Sequence, residues 1–169
     1  MPWKACAFPI NFRWQCFDKK KEVFLVSKTN NHPVLIEKLN EILELEISGV
    51  VRYLHYSFMI TGPNRIPIVK FFLDQAMEGF NHSTILGEKI KALGGNPSLK
   101  VKPVPETNKY AVLEILRESV EFEKVALDKY VSLLPLCEGN IALEDLIRQL
   151  IRQEQEHIEE CEKMLVVSK

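Results

Sequence analysis

Four stretches of the chain repeat apolar residues three and four positions apart, the spacing that buries one face of an α-helix. In the first, Leu35, Leu39, Ile42, Leu43, Val50, Tyr53 and Leu54 form the stripe, while Glu37, Glu41, Glu44, Ser48 and Arg52 lie opposite. The pattern predicts a helix over 33–60, with Pro33 at a first helical position, where its missing N–H is no loss. "TGPNRIP" (61–67) interrupts it. A second helix is predicted over 68–93, closed by Gly94, Gly95 and Pro97. A third follows Thr107, a candidate N-cap, and runs to Leu134. "PLCEGN" (135–140) separates it from a fourth over 141–166.

Each segment is about 26–28 residues long, roughly 40 Å of helix at 1.5 Å per residue. Two short links and the Pro-punctuated connection "NPSLKVKPVPET" (96–107) predict two helical hairpins joined by a long crossover. The expected class is all-α, a four-helix bundle over 32–169. Residues 1–31 fit no helical pattern and are read as an irregular N-terminal extension, with a short strand expected at "EVFLVS" (22–27).

Composition narrows the function classes. The 169 residues suffice for one domain. A net charge of −1 leaves no basic field for nucleic acid. No apolar run is long enough to span a membrane, and Lys4 and Arg13 break the apolar start that a signal peptide would need. Cys6, Cys16, Cys137 and Cys161 are scattered without a CxxC, which predicts no disulfide framework and a cytoplasmic, reducing setting. Cys137 and Cys161 read as small apolar fillers, and His32 and His55 lie off the stripes.

The candidate chemistry lies in polar residues that fall on apolar stripes. Glu46 lies on the first. Glu123 lies on the third, among Val112, Leu113, Leu116, Val120, Leu127, Tyr130 and Leu134. Glu154 and His157 lie on the fourth, between Leu150 and Cys161. The second reads Ile68, Phe71, Phe72, Gln75, then Glu78 and His82, then Leu86 and Ile90. Four carboxylates and two imidazoles therefore point inward. A buried ionised carboxylate is costly unless paired, hydrogen-bonded or bound to a metal. Two divalent cations would offset four negative charges, with neutral imidazoles as further ligands.

That is the composition of a carboxylate-bridged dinuclear site in a helix bundle. The arrangement also repeats. Glu46 precedes Tyr53 by seven residues, and Glu123 precedes Tyr130 by seven. Either tyrosine could hydrogen-bond a ligand carboxylate. A single Glu–His pair at helical spacing is commonly a surface contact. The joint occurrence of six such groups on four inward faces is what carries the reading.

On these residues the chain resembles the ferritin-like superfamily, bacterioferritins most closely, over 33–166. "ELEISGVVRYLHYS" is similar to the first-helix ligand segment with Glu46, and "EFEKVALDKY" to the third-helix segment with Glu123. "RQEQEHIEECEKML" resembles the fourth-helix ExxH segment with Glu154 and His157. "LGEKIKALGGNPSL" resembles the close of the second helix and marks His82 as its histidine.

The resemblance implies a ferritin-like bundle holding two iron ions, with manganese as the other choice. Glu46 and His82 would hold one metal and Glu123 and His157 the other, with Glu78 and Glu154 as bridges. These six residues would be at once the metal ligands and the catalytic residues. The implied activity is ferroxidase: oxidation of Fe(II) by O2 or peroxide, in iron storage and detoxification, by a homo-oligomer.

The chain departs from the family pattern in three places. An ExxH motif on the second helix would put its carboxylate at Gly79, whereas Glu78 is four residues before His82. A π-type bulge at Gly79 is the expected way to turn Glu78 inward. Phe80 stands where bacterioferritins carry a haem-ligating methionine, so haem is not expected. The sequence stops 12 residues after His157, without the family's short fifth helix, which points to a smaller assembly such as a dimer. The alternative to an enzyme is a bundle with a degraded metal site that serves as a structural or partner-binding module.

Overall fold

The computed structural model describes residues 32–166. The N-terminal extension and its expected strand at 22–27 lie outside the described residues. Four long helices follow in order: α1 (His32–Met59), α2 (Arg65–Ala92), α3 (Val112–Leu133) and α4 (Ile141–Leu165), with a single 3-10 turn, Leu134–Cys137, between the last two. α1 packs along α2 and α3 along α4, and α1 also meets α3. This is the expected pair of hairpins and the expected four-helix bundle.

The ends of the helices have local causes. α2 begins before Pro67, because the first turn of a helix needs no N–H from its third residue. It ends where the Gly95 N–H donates to the Ile90 carbonyl at 2.9 Å, with Gly94 at φ +84°, a left-handed angle that glycine adopts without strain. α4 is capped by Asn140, whose side chain accepts from the Leu143 N–H at 3.1 Å.

α3 starts at Val112, later than expected. Asn108 turns the chain at φ 56°, and the Thr107 hydroxyl donates to Glu118 at 3.2 Å instead of capping the helix. The non-helical crossover is tied to α1 on its way: the Ser98 N–H donates to Asn40 Oδ1 at 2.7 Å, and the Lys102 N–H to the Glu44 carbonyl at 3.2 Å.

The apolar core is divided in two along the bundle. One cluster holds Leu35, Leu39 and Ile42 of α1, Leu86 and Ile90 of α2, Tyr130 and Leu133 of α3, and Leu143, Ile147 and Leu150 of α4. The other holds Tyr53, Tyr56 and Ile60, Phe72 and Ala76, Ile115, Leu116 and Val120, and Ile158 and Cys161. Between them lies a buried polar layer.

Two stripe assignments differ from expectation. Leu54 and Leu113 are exposed, while Ser48, expected on the solvated face, is buried. Its hydroxyl is satisfied by donating to the Leu45 carbonyl at 2.6 Å within its own helix. The close approach of α1 to α3 at this level needs Gly49: a Cβ there would lie 2.9 Å from the Phe122 ring. No described helix is long and apolar enough to cross a membrane.

Candidate metal centre

The polar layer draws on all four helices. α1 brings Glu46, α2 brings Gln75 and His82, α3 brings Glu123, and α4 brings Glu154 and His157, and every one is buried. Each occupies a stripe position, so it points where the leucines above and below it point.

Five of these residues form two overlapping groups. Glu46, His82 and Glu154 present ligand atoms all within 4.8 Å of one another, and so do Glu123, Glu154 and His157. Glu154 belongs to both. Its Oε1 lies 2.9 Å from His82 Nδ1, and its Oε2 lies 3.8 Å from His157 Nδ1. Glu46 Oε1 is 3.5 Å from His82 Nδ1, and Glu123 Oε2 is 3.9 Å from His157 Nδ1.

The tyrosines cross between the hairpins. The Tyr130 hydroxyl of α3 donates to Glu46 of α1 at 2.6 Å, and the Tyr53 hydroxyl of α1 donates to Glu123 of α3. Each tyrosine therefore orients the carboxylate of the other helix, and the Glu-x6-Tyr repeat of the sequence becomes a reciprocal pair.

Glu78, expected as a bridge, joins neither group. α2 runs as regular α-helix through Gly79, so the expected bulge is not formed. Its carboxylate instead pairs with His157 Nε2 at 2.9 Å, on the outer side of the ring, and is about one-third exposed (34%). A proton held on Nε2 leaves Nδ1 free to face the centre and makes the ring a better donor.

The inward position on this turn is Gly79, where a Cβ would lie 3.6 Å from Glu46 Oε2 and 3.4 Å from the Val50 side chain. A cavity of about 10 Å³, the room of about one water, is lined by Gly49, Gln75 and Gly79 together with the five clustered residues.

The electrostatics follow from burial and pairing. Burial opposes charge on His82, but Glu154 and Glu46 beside its Nδ1 outweigh it and raise its pKa to about 10. Burial likewise opposes charge on His157, and Glu123 and Glu78 raise it to about 10. Burial disfavours the Glu123 carboxylate, yet the neighbouring His157, with Glu154 and the Tyr53 hydroxyl, holds its pKa below the ordinary value. Burial, joined by the charges of Glu46 and Glu123, pushes Glu154 well above it. The hydrogen bond from His157 lowers Glu78. Burial first, then the adjacent carboxylates, keep Tyr53 and Tyr130 protonated.

Without a cation, these neighbours favour the charged form of both imidazoles and the neutral form of Glu154. Divalent cations would compete for those same positions. The donor set fits them. Three hard carboxylates with two imidazoles favour iron or manganese over metals that prefer thiolates. Glu154 Oε1 is fully buried and, despite its nearness to His82, accepts no properly directed hydrogen bond, which leaves it free for a cation.

A model of the ferritin-like domain matches residues 36–168. The chain belongs to the ferritin-like family. Among solved structures, a ferritin-like di-iron-carboxylate protein from Bacillus anthracis superposes with a TM-score of 0.77 at 27% identity, over 82% of this chain and 99% of that one. The bacterioferritin of Desulfovibrio desulfuricans, described with its di-iron site in different catalytic states, gives 0.75 at 22% over 83% of each chain. The bacterioferritin of Rhodobacter capsulatus, described with a metal-free dinuclear site and haem iron, gives 0.70 at 21%, over 79% of this chain and 84% of that one. No curated protein matches the chain.

Gln75 is the one buried member of the layer that the sequence reading placed on a stripe without assigning it chemistry. The signal was present: it is an amide on an apolar face, seven residues, or two helical turns, before His82.

Proposed function

We propose that this ferritin-like protein is a di-iron-carboxylate oxidoreductase, a ferroxidase that takes Fe(II) as substrate and O2 or peroxide as oxidant in iron detoxification and storage. The carrying observation is the position of Glu154: buried, one oxygen towards each histidine, and shared by two ligand groups. The di-iron-carboxylate neighbour at 27% identity supports the same reading. Glu46 with His82 would hold one iron, and Glu123 with His157 the other, with Glu154 between them. Manganese suits the same donors. Bound iron supplies the electrons that reduce the oxidant.

The protein's own part is to hold the donors at fixed spacing and to keep water out. Tyr53 and Tyr130 orient Glu123 and Glu46, and Glu78 orients His157. Glu78 enters this reading as a positioning residue, although the family pattern makes the second-helix carboxylate a ligand. The test is anaerobic Fe(II) loading followed by mixing with oxygen. Wild type should bind about two irons per chain, as a dinuclear site requires, and oxidise them. Equal oxidation by wild type and Glu123→Ala would refute the proposal.

A second reading rests on Gly79. With no carboxylate at that inward position, the bundle would be a structural or partner-binding module whose site has decayed. Metal analysis separates the two, since purified protein that takes up no iron or manganese favours the module. In either case we propose a homo-oligomer, at least a dimer, in the cytoplasm. Val51, Leu54 and Phe58 of α1 and Leu73, Met77 and Phe80 of α2 are exposed at helical spacing, an apolar surface that a second copy would cover. A light-scattering mass tests the oligomer.

A further inference from the structure

We infer that the cleft between α1 and the crossover is a binding site for a single-ring aromatic monocarboxylate, and that Arg52 is the residue that holds the carboxylate. The inference does not depend on the metal-binding reading above.

Three observations converge on this cleft. The first is room. The cavity measures about 230 Å³, a little under the roughly 300 Å³ at which small-molecule sites begin. One ring with one substituent suits that size. α1 forms one side with Val51, Arg52, His55 and Tyr56, and the crossover forms the other, from Val104 to Tyr110.

The second is an arginine without a counter-ion. Arg52 is half-buried and forms no ion pair among the described residues. Its guanidinium lies over the Phe122 ring, 4.9 Å from the centroid, and Nη1 donates to the Tyr56 hydroxyl at 3.0 Å. That bond uses one of the five N–H donors of an arginine, and Nε is buried with no partner. Tyr56 is fixed in turn, since its own hydroxyl donates to Glu118 at 2.8 Å. The fork is therefore held in place with donors to spare, which suits a carboxylate. One cation favours a monoanion over a phosphate, whose second charge would stay unmatched.

The carboxylates nearby do not cancel this charge. Glu106 lines the cleft, but it is exposed, and its Oε1 accepts from the Tyr110 hydroxyl at 3.0 Å. Water and salt screen an exposed charge more than a half-buried one. Glu118 takes hydrogen bonds from Tyr56 and Thr107 and does not line the cleft.

The third is the lining. Val51, Val104 and Pro105 are apolar. The His55 ring stands 6.1 Å from that of Tyr110 and 6.3 Å from that of Tyr56, so aromatic groups run from one side of the cleft to the other. A flat ring packs against such a surface.

Isothermal titration calorimetry on the full-length protein provides the test. Benzoate is the probe, acetate the acid without a ring, and benzamide the ring without a charge. Benzoate should bind saturably, once per chain. Acetate and benzamide should each bind at least about tenfold more weakly, the scale of losing a buried ring or a charged hydrogen bond. Arg52→Met keeps an unbranched side chain over Phe122 and should weaken benzoate about tenfold while leaving benzamide unchanged. Tyr110→Ala opens the crossover side and should weaken benzoate and benzamide alike. Tyr110 lies outside the helices, so this variant keeps the test valid if the Arg52 variant does not fold. Glu154→Gln alters the buried layer alone and should bind benzoate as wild type does.

A wild type that takes up no benzoate, or that binds benzamide as tightly, would overturn the inference. An Arg52 or Tyr110 variant with wild-type affinity for benzoate would do the same. So would loss of benzoate binding in Glu154→Gln, which would move the ligand to the metal centre.

Discussion

Replacing Glu154 by Gln separates the proposed role of this residue in metal binding from its role in the fold. In the cation-free protein burial and the charges of Glu46 and Glu123 favour the neutral form of its carboxyl. Glutamine has the same shape, is neutral, and can donate to Glu123 as the protonated acid does. The apo stability should therefore change by no more than about 1 kcal/mol, the scale of one ordinary hydrogen bond. The metal-dependent part should behave differently. At a free metal concentration of about 100 times Kd, each site adds roughly 2.7 kcal/mol, so two sites add about 5. For a protein of this size that corresponds to a rise in Tm of about 10–20 °C.

Both ligand groups contain Glu154, so the variant drops each from three donors to two. Its rise should fall below about 3 °C, or about 1 kcal/mol. Thermal unfolding of wild type and variant, each metal-free and with anaerobic Mn(II), reads both numbers. A variant that keeps more than half of the wild-type rise would show that Glu154 is not shared. A metal-free variant that loses more than about 10 °C, several times the cost expected for one hydrogen bond, would show that Glu154 serves the fold as a counter-ion to the histidines.

Further outcomes follow from the same geometry. Tyr130→Phe and Tyr53→Phe each remove a buried hydrogen bond to a carboxylate, and each should cost about 1.5–3 kcal/mol in urea unfolding. Each should also weaken metal binding by about 10- to 100-fold, measurable by competition with a chelating dye. His82 and His157 titrate near 10 in the folded apo protein against 6.5 ordinarily, so their stabilisation is fully present below pH 6.5 and is lost as pH rises towards 10. Apo stability should then fall by up to about 1.4 kcal/mol per pH unit per histidine in that window, and the gain from added metal should grow with pH; a flat apo curve would contradict the pairing. Gly49→Leu forces a side chain into the Phe122 ring and should cost about 1–3 kcal/mol or more in thermal unfolding.

The four helices were legible because their apolar residues keep a helical period and the breaks carry Gly and Pro. The inward carboxylates were legible for the same reason, since Glu46, Glu123 and Glu154 replace leucine-like positions. The start of α3 was not, because Thr107 looks like a cap and its hydroxyl is drawn instead to Glu118, a partner 11 residues away. Glu78 shows the limit of a period. Three and four residues before His82 both fall within one broad face, yet they flank the imidazole on opposite sides. Glu78 reaches across to His157 on α4, and that choice depends on a neighbouring helix that no spacing within α2 reveals. The crossed tyrosines were half legible: the repeat was visible, but its exchange between hairpins is a property of packing.

A glycine in place of a carboxylate at inward position 79 makes the two hairpins unequal. The second, α3 with α4, carries Glu123, Glu154 and His157, and so owns a complete three-donor group. The first, α1 with α2, has only Glu46 and His82 and must borrow Glu154 from across the bundle. One half of the molecule is therefore self-sufficient in ligands and the other dependent. A cation on the second hairpin would draw every ligand from that hairpin and only their orientation, through Tyr53 and Glu78, from the first, whereas one on the first would need both docked in register, so occupancy of that half would report that the whole bundle has closed.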